Sequence, residues 1–185
     1  FYYATRLLPD RVRQATYVLY AFFRVADEVV DDADADTTPA EQREQLDAIR
    51  EAALGGATDD AVLAAFSELR DRYDIPDQEI DVFIDAMLTD IEKSRYETYS
   101  ELESYMRGSA SAVGVMMTYV MDQDEQEAAL SHAQRLGEAF QLTNFIRDVG
   151  EDIVDRDRIY LPVETLDEYA ITESQIQTQT YDETY

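Results

Sequence analysis

The stretch "RVRQATYVLYAFFRVADEVVDD", residues 11–32, decides the fold of this chain. Its apolar residues recur at helical spacing, and Asp10 immediately before it can cap a helix. Asp27 and Asp31 nevertheless interrupt the apolar pattern, four residues apart and flanked by valines and alanine. We therefore predict a long helix that carries a pair of carboxylates on a face that would otherwise be buried.

Helical periodicity also dominates the rest of the chain, and no segment shows the alternation of a half-buried strand. We predict one all-α domain over residues 1–185. Further helices are predicted from about Pro39 to a break at 54–60, over about 60–73, from "DIPDQE" to about Lys93, over about 101–121 with Ser100 as the cap, and over about 124–153. The tail after "IYLP" is polar and weakly patterned.

The composition is strongly acidic, since 41 Asp and Glu residues stand against 15 Lys and Arg, for a formal net charge of -26. Such a surface repels nucleic acid and anionic lipid headgroups, which bind proteins through Lys and Arg. A content of 45% hydrophobic residues argues against disorder and for a packed core. We expect a halophilic protein, because molar salt screens the self-repulsion of an acidic surface.

Several kinds of site are excluded by what the sequence lacks. Cysteine is absent and His132 is the single histidine, so disulfides, thiolate metal sites and His-rich metal sites are ruled out. No apolar run approaches the roughly 18 to 20 residues of a membrane span. No Gly-rich phosphate loop is present either, so a phosphate group would have to be held in another way. We expect a cytoplasmic location.

Two stripes of polar residues on predicted helices are the candidates for chemistry. Residues three and four apart share one face of a helix. The first stripe is Tyr20, Arg24, Asp27 and Asp31, and the second is Gln141, Asn144, Asp148 and Asp152. Each ends in a D-x-x-x-D pair, and two carboxylates on adjacent turns repel unless a cation lies between them. Facing pairs would suit Mg²⁺, which shares phosphate oxygens, and Arg24 and Arg147 would help to neutralise a diphosphate.

A second interpretation of the stripes is that they belong to the acidic surface. Among 41 acidic residues many D-x-x-x-D pairs arise by chance, and either stripe alone is more often a solvated face. Both pairs, however, interrupt apolar helices rather than extend polar ones. The small residues between Gly108 and Gly114 also have two interpretations, since they either pack closely against another helix or leave room for a ligand.

Four segments resemble one protein family. They are "FYYATRLLP" at the start, "YAFFRVADEVVDD", "RYETYSELESYMRGSASAVGVMM" and "GEAFQLTNFIRDVGEDIVDRDRIYLP". Together they resemble the squalene and phytoene synthase family over essentially the whole chain, and they are most similar to phytoene synthases of halophilic archaea. Members are usually longer, so we expect that family segments ahead of Phe1 and after about residue 170 are missing. The spacing between Asp152 and "RIYLP" is one residue longer than usual, which affects the placement of Arg158 and Tyr160.

The resemblance implies an all-α isoprenoid synthase fold, a helical bundle around a central cavity. It implies Mg²⁺, or Mn²⁺, held by Asp27, Asp31, Asn144, Asp148 and Asp152. It implies diphosphate contacts from Tyr20, Arg24, Gln141 and Arg147. Positions near the prenyl chains would be Phe1, Tyr105, Ala110, Val113, Gly114 and Met117. Aromatic faces such as Phe1, Phe22 and Tyr105 would stabilise carbocations, although Tyr105 can also be interpreted as a core residue.

The implied activity is the head-to-head joining of two prenyl diphosphates, with Asp27, Asp31, Asp148, Asp152, Arg24 and Tyr105 as the catalytic set. We predict a phytoene synthase that condenses two geranylgeranyl diphosphates, releases diphosphate and loses a proton without NADPH. One alternative is a squalene or dehydrosqualene synthase that uses farnesyl diphosphate. Another is a non-catalytic, acidic helical interaction module. The lipid substrates and product imply transient membrane contact.

Overall fold

The computed structural model describes residues 2–31, 37–121 and 126–178. The helices in chain order are α1 Tyr2–Thr5, α2 Asp10–Asp31, α3 Pro39–Ala53, α4 Ala61–Tyr73, α5 Asp77–Asp90, α6 Tyr99–Met106, a π-helical segment Arg107–Ser111, α7 Ala112–Met121, α8 Gln126–Arg147, α9 Val149–Arg156, α10 Val163–Glu168 and α11 Glu173–Thr178. No strand occurs in the described residues, and Arg95 and Ile159 form an isolated parallel β-bridge. The predicted all-α class is confirmed.

Local sequence signals explain where the early helices begin. Thr38 and Glu41 form a capping box at the start of α3: the Thr38 hydroxyl accepts from the Glu41 N–H, and the Glu41 carboxylate accepts from the Thr38 N–H. The Asp60 carboxylate caps α4 by accepting from two backbone N–H groups. Gly55 lies between these helices with φ of 103°, in the region that favours glycine. The predicted break at 54–60 is therefore confirmed, since α3 ends at Ala53 and α4 begins at Ala61.

The main core forms where α2, α4 and α5 meet. The Phe22 ring is fully buried and stacks on Phe66 with ring centroids 3.8 Å apart, while Phe83 lies tilted 5.5 Å from it. Burial of one such side chain contributes roughly 1.5 to 3 kcal/mol to the free energy of unfolding. The expectation that Phe22 faces a carbocation in the cavity is wrong, because its ring belongs to this core.

The helix predicted over about 101–121 is divided into three parts. Thr98, not Ser100, caps α6 by accepting from the Glu101 N–H. The backbone then widens into the π-helical segment before α7 begins. A Cβ atom added at Gly108 would lie 2.1 Å from the Val82 carbonyl oxygen, so the π-helical segment is in direct backbone contact with α5. Close packing is therefore what Gly108 provides.

The helix predicted over about 124–153 also ends early. Asp148, with φ of -99° and ψ of 5°, separates α8 from α9. Two backbone hydrogen bonds of 2.8 Å, from the Asp148 N–H to the Asn144 carbonyl and from the Asp152 N–H to the Asp148 carbonyl, continue the one-turn spacing across this break. The residues of the second polar stripe therefore keep their one-turn spacing, although the predicted single helix is divided into α8 and α9.

The end of α5 and the C-terminal tail also differ from the prediction. The helix α5 ends at Asp90 rather than near Lys93. The tail, weakly patterned in sequence, forms α10 and α11, and a second small core holds Ile153, Ile159 and Leu166 together. None of the described helices combines the length and apolar character needed to cross a membrane.

Candidate active site

A cavity of about 370 Å³ is lined by residues from α2, α5, α6, the π-helical segment, α7, α8, α9 and the segment that follows α9. This volume lies in the range of small-molecule sites. Its polar lining consists of Asp27, Asp31, Gln141, Asn144, Asp148, Asp152 and Arg156. Its apolar and aromatic lining consists of Phe23, Phe83, Met87, Tyr105, Val113, Phe145 and Tyr160, and the wall is completed by Asp90, Ser109 and Arg158.

The carboxylates of the first stripe lie on the cavity wall, but its other members do not. Burial raises the pKa of Asp27 to about 6, and the negative charge of Asp31 adds to this rise. The two carboxylates are thus close enough to repel each other. Tyr20 is 46% exposed outside the wall, and the Arg24 Nε atom forms an ion pair with Glu28 at 3.1 Å. The structure brings together half of the stripe.

All four members of the second stripe line the same cavity. The Arg147 guanidinium donates from Nε and Nη2 to the two carboxylate oxygens of Asp148, each at 2.6 Å. This bidentate contact holds the pKa of Asp148 below its usual range. The Arg147 side chain is 66% exposed and lies outside the wall, so it reaches the cavity only through Asp148.

Arg156 joins the two stripes across the cavity. Its Nη1 atom donates to Asp152 Oδ1 at 3.1 Å, and its Nη2 atom donates to Asp31 Oδ2 at 3.3 Å. The contact therefore links α9 to α2 and places one positive charge between carboxylates of opposite stripes. Arg156 is not among the residues predicted from sequence, although its position four residues after Asp152 puts the two on one helical face.

The polar lining contains several oxygen atoms that could bind a hard divalent cation. Carboxylate and amide oxygens from two helices are the hard ligands that such an ion prefers. Burial and the neighbouring charge of Asp31 raise the pKa of Asp27, and a cation bound beside the two carboxylates would lower it. Within the described part of the chain no three acidic or histidine side chains yet converge as a ready metal site. Arg156 occupies the gap between Asp31 and Asp152 instead.

Several aromatic rings of the wall stack on one another. The Phe145 and Tyr160 rings stack with centroids 4.1 Å apart, and Tyr105 stacks on Tyr160 at 5.5 Å. The Tyr105 side chain is almost fully buried, yet it borders the cavity. Both interpretations of Tyr105 therefore hold, because the same ring belongs to the core and to the wall.

A charged network lies among these rings. Tyr105 donates its hydroxyl proton to Asp90 Oδ2 at 2.7 Å, and Arg158 donates from Nη2 to the Asp90 carbonyl oxygen at 2.7 Å. The Nη1 atom of Arg158 also donates to the Tyr160 hydroxyl at 3.0 Å. Burial raises the pKa of Asp90 to about 6, against the lowering effects of Arg158 and Tyr105. The sequence analysis assigned no role to Asp90.

A signal for Asp90 was present in the sequence. Phe83, Met87 and Asp90 are spaced four and three residues apart on α5, so the acidic residue lies on the inward face of an apolar helix.

The expected prenyl-contact residues are divided between the cavity and helix packing. Val113 lines the cavity, whereas a Cβ atom at Gly114 would lie 2.5 Å from the Ala133 carbonyl oxygen.

The remaining residues of that prediction are placed as follows. The Ala110 carbonyl oxygen lies 2.6 Å from where a Cβ atom at Gly137 would be, so Ala110 packs against α8. Met117 is partly buried against the main core. Phe1 lies outside the described residues. Most of the small-residue face therefore serves helix packing, and its neighbours Ser109 and Val113 reach the cavity.

An all-α bundle that encloses a cavity between two aspartate-bearing helical faces has the isoprenoid synthase fold. Two crystal structures share it. A dehydrosqualene synthase in complex with a ligand has a TM-score of 0.82 and 30% identity, over 95% of this chain and 60% of that one. The squalene synthase HpnC from Alicyclobacillus acidocaldarius has a TM-score of 0.79 and 25% identity, over 95% and 65%.

The family follows from the sequence. The squalene/phytoene synthase family model matches residues 1–184, and the chain belongs to this family. It is 33% identical to a 15-cis-phytoene synthase of Synechocystis sp., covering 95% of this chain and 55% of that protein. It is 36% identical to a chloroplastic phytoene synthase of Daucus carota, covering 93% and 44%. The chain spans about half the length of these curated relatives.

Proposed function

We propose that this protein is a phytoene synthase, which joins two geranylgeranyl diphosphates head to head and releases diphosphate. The observation that carries the proposal is a single cavity with aspartates of both stripes in its polar lining and aromatic rings in the rest. Phytoene synthases among its relatives support the choice of substrate and product. The protein would act in carotenoid biosynthesis as a prenyltransferase.

The polar lining would receive the diphosphate groups. Asp27, Asp31, Asn144, Asp148 and Asp152 would hold Mg²⁺ or Mn²⁺, since their oxygens suit a hard divalent ion. A bound ion would neutralise the leaving diphosphate as negative charge develops on it.

Donor side chains would orient the diphosphates. Gln141 lines the cavity and has an amide that can donate to phosphate oxygens. Arg156 is a further donor, provided that it leaves its carboxylate partners. Tyr20, Arg24 and Arg147 would have to turn toward the cavity from their present positions.

The aromatic lining would protect the carbocations that remain after diphosphate leaves. Rings of Phe23, Tyr105 and Phe145 present π-faces, which attract cations and exclude water. Val113 borders the same space and would contact a prenyl chain. The interior is thus suited to an allylic cation that must react with a second prenyl chain before water reaches it.

A second candidate is a dehydrosqualene or squalene synthase that uses farnesyl diphosphate. It is favoured by the structural likeness to the ligand-bound dehydrosqualene synthase, at 30% identity. The two functions differ in the length of the prenyl chain and, for squalene, in the need for NADPH.

The test is incubation of the protein with geranylgeranyl or farnesyl diphosphate and Mg²⁺ in molar KCl, with and without NADPH, followed by product identification. Phytoene formed without NADPH is the expected result. Dehydrosqualene or squalene from farnesyl diphosphate would establish the second candidate. Absence of any product from either substrate would contradict both enzyme functions and favour a non-catalytic interaction module.

The acidic surface supports a further part of the proposal, adaptation to high salt. With 41 acidic and 15 basic residues, self-repulsion is severe at low ionic strength, and salt at about 1 M reduces its range to about 3 Å. We expect helix content and activity to rise together as KCl increases. The protein would work in the cytoplasm and contact membranes transiently to exchange its lipid substrates and product.

A further inference from the structure

The aromatic part of the cavity wall contains a buried carboxylate, Asp90, one oxygen of which has no hydrogen-bond partner among the described residues. Asp90 is 8% exposed, and its Oδ2 atom accepts the Tyr105 hydroxyl proton. Its Oδ1 atom is buried and has no hydrogen-bond partner among the described residues. Arg158 Nη1 forms an ion pair with this oxygen at 3.7 Å, a distance too long for a hydrogen bond. A buried acceptor without a partner is costly, so its position on a cavity wall calls for a ligand that completes it.

Other polar groups in this part of the wall cannot serve as a base. Ser109 also has a buried oxygen without a partner, but a neutral hydroxyl is a poor proton acceptor. Tyr105 donates to Asp90, and burial raises its pKa well above the ordinary range, so it stays neutral. The pKa of Arg158 is raised by the charge of Asp90, so it stays a cation. Burial raises the pKa of Tyr160 to about 12, so this hydroxyl also stays neutral, and Asp90 is the base that remains in this part of the wall.

We propose that Asp90 is the general base that takes the last proton of the reaction. This inference rests on the proposed function. In the step, a C–H bond next to the cationic carbon breaks and its electron pair forms the new C=C bond. The hydrocarbon becomes neutral, and the proton passes to Asp90 Oδ1, which later returns it to water. Until then, the carboxylate charge stabilises the carbocation next to it.

The contacts around Asp90 fit this role. Tyr105 and Arg158 fix the orientation of the residue by holding its Oδ2 atom and its main-chain carbonyl, and neither contact uses Oδ1. The aspartates of the two stripes are poorer candidates for the base. Under the proposed function they bind the metal and diphosphate, whereas Asp90 borders the same cavity beside the Tyr105 ring.

The test compares the parent with Asp90→Asn, which keeps an acceptor for Tyr105 but removes the base. Both are incubated with geranylgeranyl diphosphate and Mg²⁺ in molar KCl, and released diphosphate, phytoene and C40 alcohols are measured. We expect the variant still to release diphosphate, with its ratio of phytoene to alcohols lowered at least tenfold because water captures the cation. Asp85→Asn, on the exposed side of the same helix, should keep the parent ratio.

If Asp90→Asn gives the same ratio of phytoene to alcohols as the parent, at any rate of turnover, the inference is overturned. If this variant gives no product, Asp90→Glu decides, because it restores a carboxylate on a longer side chain. Recovery of phytoene in Asp90→Glu supports the base role, and its absence refutes it. A parent that releases no diphosphate from any prenyl diphosphate refutes the proposed function itself, which separates that failure from a failure of the inference.

Discussion

Replacement of Asp90 by Asn should change how stability depends on pH. Burial raises the pKa of Asp90 from 3.8 to about 6, so the folded protein holds this proton more tightly than the unfolded chain. The stability from the protonated carboxyl is fully present below the unfolded pKa and is lost as pH rises through about 6. A pKa difference of this size corresponds to roughly 3 kcal/mol. Asparagine does not ionise and carries no such dependence.

The measurement is urea unfolding of the parent and the variant in molar KCl, from about pH 4 to about pH 7. The free energy of unfolding of Asp90→Asn, minus that of the parent, should increase by roughly 2.4 kcal/mol across this range, because at pH 4 the unfolded carboxyl is already partly ionised. Other titrating groups contribute to both proteins and cancel in the difference. The stability of the variant relative to the parent should therefore improve from acid to neutral pH.

The control for this prediction is Asp85→Asn on the same helix. The Asp85 side chain is 63% exposed and pairs with Arg50, so its removal should change stability by less than about 1 kcal/mol at any of these pH values. A difference between Asp90→Asn and the parent that stays constant with pH would refute the reasoning. It would mean that water or a rearranged Arg158 already compensates the buried charge.

Three further predictions concern other parts of the site. Asp148→Asn should abolish diphosphate release while circular dichroism shows an unchanged fold, whereas Glu151→Gln on the exposed face of α9 should keep turnover. Arg156→Gln should increase the rise in melting temperature caused by Mg²⁺, because the guanidinium no longer competes for the carboxylates; an unchanged rise would contradict this competition. Gly108→Ala should lower the free energy of unfolding by about 1 to 3 kcal/mol in urea, since its Cβ atom would lie 2.1 Å from the Val82 carbonyl oxygen.

The site could be predicted from sequence only where side chains follow helical spacing. Asp27 and Asp31 share a face of α2, and the second stripe keeps its spacing even across the break at Asp148, because backbone hydrogen bonds continue there. Arg24 is an intermediate case. Its charge lowers the pKa of Asp27, as the shared helical face predicts, but its guanidinium pairs with Glu28 and does not line the cavity.

Residues that act through contacts between distant segments could not be predicted in this way. Arg158 lies 68 residues from Asp90 in sequence, and its hydrogen bond to the Asp90 carbonyl exists only because the segment after α9 returns to the end of α5. Arg156 reaches Asp31 across 125 residues of sequence. Neither contact can be predicted from a local sequence pattern, because each joins residues that are far apart in the sequence.

The sequence by itself determined the all-α class, the family and the two aspartate pairs, because helical periodicity and motif spacing are local properties of the chain. The tertiary structure alone decided which side of the small-residue segment packs and which borders the cavity. Backbone contact at Gly108 and Gly114 fixes that rotation, and it leaves Ser109 and Val113 on the wall. It also decided that Asp90 stands among aromatic rings with one oxygen free, since burial and partner geometry arise only when α5, the π-helical segment and the chain after α9 come together.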